Sequence, residues 1–223
     1  DGATAIVSIH LSSQMSGTVE AARLAASESP VPVEVIDSET IGMAMGFAVI
    51  AAAEEAARGG EVADVLAAMR RRLETSAVLF YVDTLEHLRR GGRIGAASAM
   101  LGSALSIKPI LAVRGGRIVP VEKVRTSSRA IARIEALVVE HVTRAGLAVD
   151  IAVHHLDAQA RATQIADELR VAVPGSGSGA ASVVVVELGA VVGAHVGPGT
   201  VAIAVSPRPG EPLAGASTGV TGS

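Results

Sequence analysis

Cysteine and tryptophan are missing from all 223 residues, and the aromatic set is one Tyr and two Phe. Without cysteine there can be no disulfides, no thiolate chemistry and no Cys-ligated metal. Without aromatic bulk, the core has to be built from Ala, Val, Leu, Ile and Met within the 49% of hydrophobic residues. Positive charge is not in excess either: 19 Lys and Arg face 22 Asp and Glu, for a net charge of −3. No basic block dominates, which argues against a nucleic-acid footprint. The longest apolar run, 41–53, is too short and too Gly-rich to span a bilayer. No secretory signal is visible, so the cytoplasm is the default compartment. The chain opens abruptly before a strand, which leaves room for a missing amino-terminal segment. Its length allows one large domain or two small ones, with ample core in either case.

What is present is organised around Ser12-Ser13-Gln14-Met15-Ser16-Gly17-Thr18. Residues 4–11 (TAIVSIHL) are apolar and β-branched and read as a buried strand. Residues 19–27 (VEAARLAAS) carry the three-and-four spacing of a helix. The chain therefore leaves a strand, turns through hydroxyl residues and opens a helix. A helix start offers unpaired N–H groups and a partial positive charge, and nearby hydroxyls add donors, so the place suits an anion. The plainer reading is that Ser16 or Thr18 caps the helix. One cap needs one hydroxyl, and Ser12, Ser13, Ser16 and Thr18 supply four.

The rest alternates in the same way. Strands are expected at 33–36 and 77–82, with helices over 42–58 and 61–75 between them, and this order implies parallel pairing with crossover helices. Asp37 or Ser38 is expected to cap a helix, as is Asp83 or Thr84 before the short helix to Arg90. A small-residue helix is expected over 96–106. Two strands, 108–113 and 118–124, flank Arg114-Gly115-Gly116-Arg117, a hairpin turn with its glycines in place. Thr126 or Ser127 caps a long helix to Ala145. A strand at 149–154, a helix at 158–170, a loop at 174–181 and strands at 183–187 and 201–205 follow. From Ser206 onward the chain reads as a low-complexity tail.

Two further residues invite a functional reading. Arg93 stands in Gly91-Gly92-Arg93-Ile94-Gly95, where glycines leave it unshielded. It reads equally as a cation completing a helix terminus or as a group meeting an anion or a partner. The glycine spacing is not that of a dinucleotide fingerprint. His195 lies between apolar runs beside Gly197-Pro198-Gly199, where a ligand can approach the backbone. His154 and His155 lack companions at metal-ligand spacing and read as strand-end residues.

Taken together, Ser12 to Thr18, residues 83–95 (DTLEHLRRGGRIG), 108–111 (KPIL), 124–126 (VRT) and 195–199 (HVGPG) resemble the DegV family of fatty-acid-binding proteins. The resemblance runs from about residue 4 to 205. It implies a two-domain α/β fold: an amino-terminal parallel sheet flanked by helices (1–90), and a smaller, mainly antiparallel α/β domain (91–205) before the tail (206–223). It implies a long-chain fatty acid between the domains and no cofactor or metal. Ser12, Ser13, Ser16, Gly17, Thr18, His195 and Gly197 would contact the ligand, with Ser16 and His195 on its carboxylate. It also implies a kinase subunit that phosphorylates the carboxylate, with Arg93 serving that partner step, and leaves room for transient membrane contact. The family's amino-terminal segment, with its first strand and a Thr/Ser loop, is not in this sequence, and Val196 stands where the family often has threonine. Burying about 14 methylenes at about 0.8 kcal/mol each would supply about 11 kcal/mol before ordering costs. The rival reading is a serine hydrolase using Ser16, His195 and Asp37 or Asp83, but the turn lacks the leading glycine of a nucleophile elbow.

Overall fold

The structure, a computed structural model, describes residues 2–100, 107–173 and 181–213. The loop at 174–180, the end of the helix expected over 96–106 and the chain beyond 213 lie outside the described residues. Two sheets organise the rest. Strands β1 (Ile6–His10) and β2 (Val33–Asp37) form a parallel pair, with α1 (Thr18–Ala26) as the crossover. Helices α2 (Met43–Ala57) and α3 (Val62–Thr75) pack on it through Ala48, Ala52, Val65 and Met69.

The second sheet holds β3 (Ala77–Tyr81), β4 (Lys108–Arg114), β5 (Arg117–Val124), β6 (Leu147–His155), β7 (Ala181–Glu187) and β8 (Val201–Pro212). Its order is β5-β4-β3-β8-β6-β7, and only β6 and β7 run parallel. Between β3 and β4 come α4 (Glu86–Arg90) and a short 3-10 turn, Gly95–Met100. Helices α5 (Ser127–Ala145) and α6 (Gln159–Ala172) cover one face, and α7 (Ala190–Val196) closes part of the other. The stripe Ala130, Ile134, Val138 and Val142 of α5 is wholly or almost wholly buried. Each large aliphatic side chain taken from water this way contributes about 1.5–3 kcal/mol. Thr126 Oγ1 caps α5 by accepting from the Arg129 N–H (3.3 Å), as its sequence position predicts.

Three expectations need correction. Strand β3 does not continue the parallel sheet: it pairs antiparallel with β4 and β8 at the centre of the other one. The reason lies in its apolar faces. Val78 and Phe80 pack on one side, and Leu79 and Tyr81 face α5 and α6 on the other. A strand apolar on both faces needs covering layers on both, which the interior of the larger sheet provides. The change of sheet thus falls between α3 and β3, and among the described residues the mainly antiparallel sheet is the larger one.

The second correction concerns 206–212, read as tail but forming the end of β8 against β6. Beyond the Ala77–Val205 pair this segment has β6 on one side only, and an open edge tolerates Pro207, Pro209 and Pro212. Polar bonds fix it in place. Arg72 donates to Pro207 O (3.0 Å) and pairs with Asp150 (2.5 Å), which also takes Arg208 (2.6 Å). Burial pushes the Asp150 carboxyl up, but the bonds from Arg208 and Arg72 outweigh it and hold it below the usual range.

The third concerns caps. Leu85 occupies the N-cap of α4, while Thr84 Oγ1 accepts from the Glu86 N–H (3.2 Å). Gly42, not Asp37 or Ser38, opens α2.

One carboxyl offers a test of the α5–α6 contact. Burial, aided by the neighbouring Glu168 carboxylate, pushes Glu135 up to about 7. An acid raised on folding binds its proton more tightly in the native state, so this site costs stability as pH rises from about 4.5 to about 7. Glu135→Gln should therefore raise Tm at pH 8 by about 2–4 °C, corresponding to about 1 kcal/mol, and leave Tm unchanged near pH 4.5. Thermal melts at the two pH values decide this.

Candidate functional site

At the end of β1 the chain tightens at once. The Ser12 carbonyl accepts the N–H groups of Met15 (2.9 Å) and Ser16 (3.0 Å), which folds the turn on itself. The Ser12 hydroxyl, fully buried, donates to Gly116 O (2.8 Å) at the β4–β5 hairpin and accepts the Gln14 N–H (3.1 Å). The Ser13 N–H bonds both Asp37 carboxylate oxygens (3.2 Å each). Burial raises the Asp37 pKa, but bonds from Ser13 and Glu39 more than reverse it, leaving the group lowered. Gly17 is the N-cap of α1 and no side chain caps that helix; Ser16 Oγ accepts only the Thr18 N–H (3.3 Å). The plain capping role for Ser16 or Thr18 is thus not what the turn provides.

A cavity of about 290 Å³ lies between this turn and the six-stranded sheet. Val78, Phe80, Val113, Ile118 and Ala202 of the large sheet line it on one side. Leu11, Met15 and Ile41 line it from the two-stranded sheet's loops, and Val191, Val192 and Val196 from α7. Its polar lining is confined to Ser16, Thr18, Arg93, His154, His195 and Thr200. Ser16, Thr18, Arg93 and His195, singled out from sequence, therefore converge. Ser12, Ser13, Gly17 and Gly197 are not among its lining residues. At Gly197 (φ +78) a Cβ would stand 2.3 Å from His87, so that glycine makes room for a side chain instead.

Arg93 is exposed and borders the cavity. Its Nε donates to Met15 O (3.0 Å) and its Nη1 to Gly91 O (2.7 Å), which ties the serine turn to the turn after α4. His195 ends α7, and its buried Nδ1 has no hydrogen-bond partner. Gly91 packs against that atom, where a Cβ would come within 2.1 Å.

Sequence reasoning missed His154 as a cavity residue, because only metal-ligand spacing was asked of it. Its Nε2 accepts the Met43 N–H at the start of α2 (3.1 Å), and burial takes its pKa down to about 4. It is a neutral, satisfied wall residue. Thr200 is satisfied as well, donating to Val196 O and Gly197 O (3.1 and 2.8 Å). The hydrolase triad does not assemble. Asp37 bonds Ser13, Asp83 accepts from the Tyr81 hydroxyl and its Oδ2 lies against Gly199, and neither acid meets His195 Nδ1. Among the described residues there is also no group of three or more acids and histidines that could hold a metal.

The two sheets and the space between them define an α/β protein with a largely apolar cavity that has six polar residues on its lining. The chain belongs to the DegV family, whose profile, described as "Uncharacterised protein, DegV family", matches residues 1–208. The DegV domain-containing protein SCO2569 of Streptomyces coelicolor is 54% identical over 207 residues, covering 93% of this chain and 72% of that relative. The crystal structure of DegV, a fatty acid binding protein from Bacillus subtilis, matches with TM-score 0.81 and 36% identity, covering 92% of this chain and 71% of that one. A DegV family protein from Thermus thermophilus, described for its fatty acid binding, matches with TM-score 0.80 and 33% identity over 92% and 72% of the two chains.

The packing at His195 is itself testable. Gly91→Ala puts a methyl where the imidazole stands, an overpacking that costs about 1–3 kcal/mol. Thermal unfolding should show Tm lowered by about 2–4 °C for each kcal/mol, and an unchanged Tm would mean that the ring swings aside freely.

Proposed function

We propose that this chain holds a long-chain fatty acid in the cavity between its two sheets and presents the carboxylate to a separate kinase subunit for acyl-phosphate formation. The observation that carries the reading is the cavity's make-up: largely aliphatic walls, with Ser16, Thr18, Arg93 and His195 among its few polar lining residues. An amphiphile with one anionic end matches that make-up, and an apolar body supplies the affinity while the charged end sets orientation. The fatty-acid-binding descriptions of the similar structures support it. Chemistry on the acyl group would belong to the partner, with this chain as carrier. In this reading the protein works in the cytoplasm and touches the membrane only in transit; among the described residues no helix is long and apolar enough to cross one.

Ser16 and His195 receive the carboxylate in this reading, the first from the start of α1 and the second from α7. Arg93 adds a permanent charge beside them while serving the partner step. Denaturing extraction of the purified protein should release a long-chain fatty acid at about one per chain; no bound acid, and no uptake on addition, would overturn the proposal. Ser16→Ala removes a charge-assisted bond of about 1.5–3 kcal/mol and should weaken fatty-acid binding about ten- to a hundredfold with the fold intact. Arg93→Ala should lose acyl affinity and kinase-dependent acyl phosphate together. Arg93→Lys, which keeps the charge but not the fork that reaches both Met15 O and Gly91 O, should recover only part of each. Retained lipid with lost acyl phosphate would assign Arg93 to the partner alone.

A further inference from the structure

We infer that Ser12 is a positioning residue for carboxylate recognition: it bolts the serine turn to the β4–β5 hairpin so that Ser16 and Thr18 stand in register with Arg93 and His195. The inference rests on the proposed function and deepens it.

The resemblance groups Ser12 with the ligand contacts, but its chemistry is already committed. A hydroxyl has one proton to donate, and that of Ser12 goes to Gly116 O at 2.8 Å. It also accepts the Gln14 N–H, and the residue is wholly buried outside the cavity lining. No donor remains for a carboxylate. The fit with the hairpin is close from both sides, since a Cβ on Gly116 (φ +73) would come within 2.3 Å of Ser12 Oγ. A second strut lies beside it, where Arg117 Nη2 donates to Gln14 Oε1 (2.7 Å). A third runs from Arg93 Nε to Met15 O (3.0 Å). Three consecutive-region contacts, to residues 12, 14 and 15, thus come from parts of the chain outside the two-stranded sheet.

The reason such bolts matter is geometric. The proposed carboxylate donors come from separate elements, Ser16 and Thr18 from the serine turn and the start of α1 and His195 from α7. Donors that must converge on one small anion lose strength steeply when their mutual placement drifts by a fraction of an ångström to an ångström. The alkyl chain, held by non-directional contacts, tolerates the same drift. Loss of the bolt should therefore be felt at the acid group and not along the tail.

The test compares palmitic acid with hexadecanol, which shares the tail and lacks the charge, by displacement of a fluorescent fatty acid from delipidated protein. The unmodified chain should prefer the acid. Ser12→Ala should cut the acid-over-alcohol preference about five- to tenfold, the size of one lost internal hydrogen bond, while hexadecanol affinity stays the same. Arg117→Ala, at an exposed position that leaves folding unaffected, should cut the preference two- to threefold, and it carries the test if Ser12→Ala does not fold. Equal weakening for acid and alcohol would show general loosening and overturn the inference, as would an unchanged preference in both variants. If the unmodified chain binds fatty acid but shows no preference, carboxylate recognition fails, and this inference fails with it. If it binds neither compound, the fatty-acid reading itself is overturned.

Discussion

Among the bonds that join the two halves of the molecule is one from a fully buried hydroxyl: Ser12 leaves β1 and donates across to the carbonyl of Gly116 on the large sheet's hairpin. Buried polar groups are worth most when fully paired, and this one is paired in both of its capacities. Around it the contacts of Gln14 with Arg117 and of Met15 with Arg93 keep the turn facing the sheet. The cavity exists because the turn is held at that distance: its walls come from the turn on one side and from β3, β4, β5 and β8 on the other. The type of turn at the hairpin tip matters for the same reason. Gly115 and Gly116 both have positive φ, which lets the tip double back and bring a bare carbonyl to Ser12.

Local order was easily read from the amino-acid sequence. The strand–turn–helix at residues 6–26, the glycine hairpin and the Thr126-capped helix each follow from short-range rules, and each stands within a residue or two of where those rules put it. Sheet membership was harder. Strand β3 looks like the third strand of an alternating series, and only its company shows otherwise. Two helices in succession, α2 and α3, had already carried the chain from one sheet to the other. Residues 206–212 failed for a related reason. Proline-rich composition suggests an unstructured tail, whereas Asp150, Arg72 and Ser76 supply partners from distant positions that no local pattern can announce.

The candidate site shows the same split. Ser16, Thr18, Arg93 and His195 were legible as residue types in special surroundings, and they do meet at one cavity. Which of the four hydroxyls in the turn faces that cavity was not legible. In a turn, direction is set by tertiary bonds, and here one hydroxyl is spent on the hairpin while the Ser13 backbone is spent on Asp37.

Two histidines on this cavity show how pairing separates a wall from a working group. His154 lies within the sheet, accepts the first free N–H of α2 and is kept neutral by burial, with its pKa near 4. A neutral acceptor already in use adds no charge to the apolar space and offers nothing to an anion. His195 lies at the end of a short helix, and its buried Nδ1 is left without a partner. An unpaired buried nitrogen carries the desolvation cost of a missing bond. Because that Nδ1 is packed against Gly91, on the proposed reading the acyl carboxylate has to meet the other ring nitrogen of His195, while the neutrality of His154 keeps the remainder of the cavity suited to the alkyl chain. His154 thus closes the wall from β6, and His195 stands on α7, across the Gly197–Pro198–Gly199 turn from β8.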